Sequence, residues 1–277
     1  MSIEPCSLAD AQATIPILFD DPPPPLPTPV LTCQTQDGAL LTFPALLSPG
    51  ECARIIAACS PLETPHSYNR TRAIVLCPSL ASLLFTRLQL ALDAGAGGGG
   101  AAAAALHCAL RAYSRHGSTW VAAGVNPVMR FVAYQEGGRL GPHLDATTRC
   151  SVDRCGMFTV MAYLTEGYEG GQLRVLRAEK DGGALDYSPG VGDVVLLDRR
   201  LLHEGLPVVA GPSGALKCMV RSELVCARTP PISSATDASA SALLEQALAA
   251  QDPAECGRLT DAALAMSSRL EEVYLNV

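Results

Sequence analysis

The sequence predicts an α+β protein whose core is mainly β, an antiparallel sandwich or barrel carried by helices on its N-terminal side and extended by helices at its C-terminal end. Three observations predict it. Between residues 126 and 228, six short apolar runs alternate with turns, several of them GG or GxG. Upstream, leucines recur at helical spacing. Downstream, a Ser/Thr/Pro-rich stretch gives way to two amphipathic segments.

The elements follow in order. Residues 1–37 contain DPPPPLPTP, which favours polyproline II and offers no core pattern, so a disordered or extended spacer is expected. GALLTFPALL (38–47) reads as a first strand. In SPGECARIIAACS, Ser48 and Glu51 make a capping box and Pro49 takes the first helical position. PSLASLLFTRLQLALD reads as a second helix, with Leu80, Leu84, Leu88 and Leu92 four apart and Leu83 beside them. In AGAGGGGAAAAA (94–105) the glycines lose too much chain entropy to order cheaply. The alanines start a helix running into LHCALRAYSR. These helices, 48–115, support a β core over 126–228, built from VMRFVAYQ, RLGPHLDA, MFTVMAYLT, GQLRVLR, GDVVLLD and LKCMVRSELVC. Gly137, Gly138, Gly170 and Gly171 fall in turns that call for positive φ. The domain unit is therefore 38–228. Residues 229–277 follow as a linker, TPPISSATDASAS, and two helices, SALLEQALAAQ and LTDAALAMSSRLEEVYL, with a structural role.

Bulk properties exclude several classes. The formal net charge is −7, so overall charge gives no grip on nucleic acid or on an anionic membrane. Eleven cysteines include no CxxC, which removes zinc-ribbon and thioredoxin-like sites and points to free thiols used as small apolar residues. No secretory leader pattern and no long apolar run is visible, so a cytoplasmic or nuclear setting is expected.

The chemistry begins at GPHLDA. His143 and Asp145 are two apart, and in a strand they would share a side. Alone, such a pair could bind a metal, form a hydrogen-bonded couple or do nothing. His203, in LLDRRLLHEGLPVVAG at the edge of a later strand, completes two histidines and a carboxylate. That donor set suits Fe(II), with three positions left open, although Zn(II), Mn(II) or Co(II) could also sit there. Beyond it lie Lys217 and Arg221, four apart on one face of the last strand. A buried cation there calls for an anion, which the far carboxylate of a dicarboxylate co-substrate would supply. His66, His107 and His116 have no evident partners and read as surface or loop residues.

Taken together, MRFVAYQEGGRLGPHLDA, MFTVMAYLTEGYEGGQLRVL and YSPGVGDVVLLDRRLLHEGLPVVAGPSGALKCMVRSEL resemble the Fe(II)/2-oxoglutarate-dependent dioxygenases of the prolyl 4-hydroxylase-like group, over roughly 38–228. SYNRTRAIVLCPSLASLLFTRL is similar to the lead-in of small members. The resemblance implies a double-stranded β-helix (jelly-roll or cupin-like). It implies Fe(II) on His143, Asp145 and His203, with O₂ and 2-oxoglutarate as co-substrates and ascorbate as an accessory. Lys217 stands where the family pairs a basic residue with the distal carboxylate, and Arg221 is the substitute, since GPSGA lengthens the preceding loop. Tyr134 matches a tyrosine that hydrogen-bonds the same carboxylate, and Tyr163 matches the pocket wall. The implied reaction couples decarboxylation to succinate and CO₂ with hydroxylation of a protein or peptide side chain, proline first. Two alternatives stand beside it. One is a small-molecule or nucleobase hydroxylase or demethylase of the same superfamily. The other is a non-catalytic β-barrel scaffold whose Pro-rich segment and C-terminal helices recruit partners. The sequence leaves the oligomeric state open.

Overall fold

The computed structural model describes residues 11–19, 23–35, 38–96, 100–114, 119–146, 148–176, 183–231 and 237–267. Its first half forms β1 (Ala13–Thr14), β2 (Val30–Gln34), β3 (Ala39–Phe43), α1 (Pro49–Cys59), β4 (Thr64–His66), β5 (Arg70–Leu76), α2 (Pro78–Ala96) and α3 (Ala101–Ala112). Then come β6 (Thr119–Val125), β7 (Val128–Tyr134), β8 (Leu140–His143), β9 (Arg149–Ser151), β10 (Arg154–Tyr163), β11 (Glu169–Gly170) and β12 (Leu173–Val175). The chain continues through β13 (Leu185–Tyr187), β14 (Val194–Asp198), β15 (His203–Gly205), β16 (Val208–Val209) and β17 (Cys218–Thr229). It closes with α4 (Ala238–Ala249) and α5 (Pro253–Met266).

Two sheets make the core. The long one runs β1-β5-β7-β17-β10-β14-β3-β2, with β4, β6 and β9 attached at its sides, and the shorter runs β13-β12-β15-β8. They pack face to face, since Leu173 and Val175 of β12 share an apolar cluster with Val132, Met161, Val195 and Met219 of the long sheet. This is a double-stranded β-helix. The opposite face of the long sheet is covered by α1, α2 and α3. Ile55, Leu80, Leu84, Leu88 and Leu106 lie in one cluster with Phe131, Phe158, Val160 and Val220. Both faces of the central strands are therefore buried.

The capping box at Ser48 forms, with Ser48 Oγ accepting from Glu51 N and Glu51 Oε2 accepting from Ser48 N. Glu51 also receives both Nη groups of Arg87 at 2.8 Å, so one buried carboxylate starts α1 and fastens it to α2. Such a bidentate pair, fully hydrogen-bonded, is the arrangement in which burying two charges is tolerable.

Several expectations are corrected. Within the lead-in expected to be disordered or extended, residues 30–34 form β2 and pair with β3, and residues 13–14 pair with β5, so these parts join the long sheet and are more than a spacer. Strands β5 and β6 were not foreseen. The last helix begins at Pro253 rather than near residue 259, because Asp252 caps it by accepting from Ala254 N and Glu255 N. The remainder of its expected span, 268–275, lies outside the described residues, as do Cys6 and His116. Gly137, Gly170 and Gly171 have positive φ, but Gly138 does not. It is needed for close approach: a Cβ there would sit 2.5 Å from the Asn69 carbonyl oxygen. All ten described cysteines are free. No described helix is long and apolar enough to cross a membrane.

Candidate active site

Two neighbouring strands bring the histidines together. β8 ends at His143 and β15 begins at His203, and the antiparallel register places them opposite each other with ring centroids 4.3 Å apart. Asp145 follows in coil, so loop geometry rather than strand pleating turns its carboxylate toward them. Its Oδ1 is 3.5 Å from His143 Nε2 and its Oδ2 3.6 Å from His203 Nε2. The three donor atoms all lie within 4.8 Å of one another.

The hydrogen bonds behind the imidazoles set their tautomers. His143 Nδ1 lies 2.9 Å from Gly141 O, and His203 Nδ1 lies 2.9 Å from Leu201 O. A carbonyl only accepts, so each Nδ1 carries the proton and each Nε2 offers a lone pair toward Asp145. Burial pushes the His203 pKa down, against the opposing pull of Asp145, and so favours the neutral, ligating form. For Asp145, burial would raise the pKa. The Arg221 guanidinium and the Thr159 hydroxyl oppose it, and the carboxyl is held well below its usual range. Arg221 Nη2 approaches Asp145 Oδ1 at 2.5 Å, and Thr159 donates to Oδ2. Two imidazoles and a locked carboxylate converging on one point fit a divalent metal.

Lys217 and Arg221 both face this cavity but differ in what they meet. Arg221 is held by Asp145. Lys217 is 2% exposed, and no carboxylate pairs with it among the described residues. Its Nζ donates to Gly171 O at 2.6 Å and lies 5.0 and 5.2 Å from the Tyr134 and Tyr163 ring centroids. Burial pushes its ammonium down to about 7. A cation so placed is costly until an anion arrives. Tyr134 and Tyr163 are both buried against it, Tyr163 donating to Met161 Sδ. Gly171 makes room for the lysine: with φ +66°, it leaves a space where a Cβ would come 3.3 Å from Lys217 Cδ.

These groups line one cavity of about 400 Å³. Sequence reasoning missed Thr159, the Arg130–Glu223 pair at 2.8 Å, and Arg70 and Arg72 of β5, all of them in or against its wall. The signal available was parity: Thr159 precedes Met161 and Tyr163 by two and four positions on one strand. His66, expected on the surface, is exposed but belongs to the cavity rim, whereas His107 is exposed on α3.

Residues 129–221 match the family model described as the 2OG-Fe(II) oxygenase superfamily. They form a 2OG-Fe(II) oxygenase domain. The enzyme is thus an Fe(II)- and 2-oxoglutarate-dependent dioxygenase, and Fe(II), 2-oxoglutarate and O₂ are its cofactor and co-substrates. No curated protein matches the chain. Among solved structures it is similar to a Pseudomonas putida prolyl-4-hydroxylase, at 22% identity and TM-score 0.42, covering 66% of this chain and 90% of that one. It is also similar to a Trichoplax adhaerens prolyl hydroxylase in complex with a hypoxia inducible factor peptide, at 17% identity and TM-score 0.40, covering 68% and 84%. A third is a Streptomyces hygroscopicus protein with nickel and 2-oxoglutarate bound, at 13% identity and TM-score 0.40, covering 70% and 84%.

Proposed function

We propose that the oxygenase unit, residues 38–228, hydroxylates a protein or peptide side chain, with proline as the first candidate and a cytoplasmic or nuclear setting in which its cysteines stay reduced. His143, Asp145 and His203 hold the iron, Lys217 receives the distal carboxylate of 2-oxoglutarate, and Tyr134 and Tyr163 wall the co-substrate. The observation that carries this reading is the pairing of a buried cation, Lys217, that meets no carboxylate among the described residues with a set of three ligand atoms in one cavity. When bound, the iron supplies the coupled oxidation in which 2-oxoglutarate gives succinate and CO₂ and a substrate C–H bond gains an oxygen atom.

The residues of this chain supply the rest. The carbonyls of Gly141 and Leu201 fix the two imidazoles, and Thr159 and Arg221 fix the carboxylate. Arg221 is occupied by Asp145, which favours Lys217 over Arg221 as the carboxylate receiver. Met161, Met219 and the two tyrosines exclude water from the co-substrate end of the cavity. Ascorbate fits as an accessory reductant for turnovers that do not reach substrate.

The test is a visible spectrum of the anaerobic protein with Fe(II) and 2-oxoglutarate, beside His143→Ala. A charge-transfer band present in the parent and lost in the variant is expected. A folded protein without the band would end the reading.

A further inference from the structure

The cavity holds more positive charge than iron and co-substrate use. Five arginine and lysine side chains line it against two carboxylates, in a chain of formal net charge −7. A divalent ion and a dianionic co-substrate together add no net charge. Arg130 is met by Glu223 and Arg221 by Asp145, and Lys217 is assigned above. Arg70 and Arg72 are left. They alternate on β5, opposite Tyr134 and Val132 of β7, so both continue the cavity face of the sheet toward its edge. Neither is in an ion pair among the described residues. Arg70 is also held in place. Its Nε donates to Ser67 O at 3.1 Å, and its guanidinium lies 5.7 and 5.8 Å from the Tyr68 and Tyr134 ring centroids.

We infer that the substrate is an acidic peptide, in which an Asp or Glu side chain flanking the hydroxylated residue docks on Arg70 and Arg72. The inference rests on the oxygenase reading of this cavity and names its substrate class. Two guanidiniums on one strand face match a carboxylate, because each presents a rigid fork of donors. A desolvated wall strengthens such a contact and a pre-held arginine loses little freedom on binding. A peptide fits better than a nucleic acid. Arg70 and Arg72 lie in the cavity wall, whereas a phosphate backbone needs a basic track along the surface, and the acidic chain shows no Lys/Arg run. Leu144 at the cavity and Tyr68 beside Arg70 are 52% and 60% exposed and offer apolar contact to flanking residues.

The experiment uses the full chain loaded anaerobically with Mn(II) and 2-oxoglutarate, so that binding is read without turnover. Fluorescent peptides share a proline-centred core and carry flanking Asp/Glu, Asn/Gln or Lys, and an oligothymidylate is added as a fourth probe. The acidic peptides should bind about tenfold tighter than the amide peptides, the size of one charge-assisted contact. The preference should vanish in Arg70→Gln/Arg72→Gln and turn toward Lys peptides in Arg72→Glu. A thermal melt checks that each variant folds. If the double variant does not, Arg72→Gln alone, at a half-buried site, is used. Equal affinities, a preference retained in the folded variants, or tighter oligothymidylate binding overturns the inference. The Fe(II)/2-oxoglutarate band is recorded on the same preparation. With the band present, equal peptide affinities overturn the acidic-peptide inference alone. With the band absent, the oxygenase reading falls and takes this one with it.

Discussion

Strands β7, β10 and β17 each bury two faces, and the two faces have opposite chemistry. Met129, Phe131 and Ala133 of β7 pack under the helices with Phe158, Val160 and Ala162 of β10 and Val220 and Leu224 of β17. Arg130, Val132 and Tyr134 point the other way, toward Met161, Tyr163, Lys217, Met219 and Arg221. The helix-side residues need only shape, so apolar volume suffices there. On the cavity side every polar group needs a partner, and those it lacks mark where a ligand belongs. Burial does not separate core from site in this protein; strand parity does.

Substitutions on the two faces should therefore fail differently. Phe131→Ala, on the helix side, is expected to cost about 3–5 kcal/mol in a urea unfolding curve. The folded protein should keep its 2-oxoglutarate titration midpoint. A shift in that midpoint would mean that the faces are coupled.

Lys217→Met, on the cavity side, should weaken 2-oxoglutarate binding by roughly 10- to 100-fold, from the loss of a charged hydrogen bond. Its effect on stability should have the opposite sign. Burial puts the folded ammonium at about 7, below its unfolded value. Below pH 7 both states are protonated, and the co-substrate-free fold carries the full cost of the buried charge. As pH rises from 7 toward the unfolded value, the folded state sheds its proton first, and the parent gains stability. The melting temperature of Lys217→Met should exceed the parent's at pH 6, and the gap should narrow by pH 9. A gap independent of pH would show that the lysine is not buried as a charge.

Thr159→Val should be the mildest. It removes one hydrogen bond to Asp145 and should lower metal affinity by about tenfold, as for other groups that orient a ligand. A Mn(II) titration with an unchanged midpoint would leave Thr159 as packing only.

Much of this was legible beforehand. The box at Ser48, the leucines of α2 and the strand-and-glycine texture after residue 126 are local signals, and each encodes its own element. What escaped was set by distant partners. β5 begins RTR, and its inward arginines break the apolar pattern that identifies a buried strand. Gly138 looked like a turn former because its need for space depends on Asn69, far away in sequence. His143, Asp145 and His203 could be grouped by residue type. The division of labour between Lys217 and Arg221 depends on which of them touches Asp145, and spacing along a strand does not carry that information.

The C-terminal helices carry a consequence for the iron site that they never line. Val152 is buried among Ala240, Leu244, Ala247 and Ala263, and its backbone N–H is fastened to Glu245 Oε1 at 2.9 Å. Val152 sits in the turn between β9 and β10, on the stretch of chain that leads from Asp145 into β10. A chain trimmed after Arg228 would leave that valine wet and the turn without its Glu245 anchor, while β9 kept its pairing with β10. The stretch that leads from Asp145 into the sheet thus shares its anchorage with a pair of helices about a hundred residues downstream, so the unit 38–228 leans on a neighbour outside its own bounds.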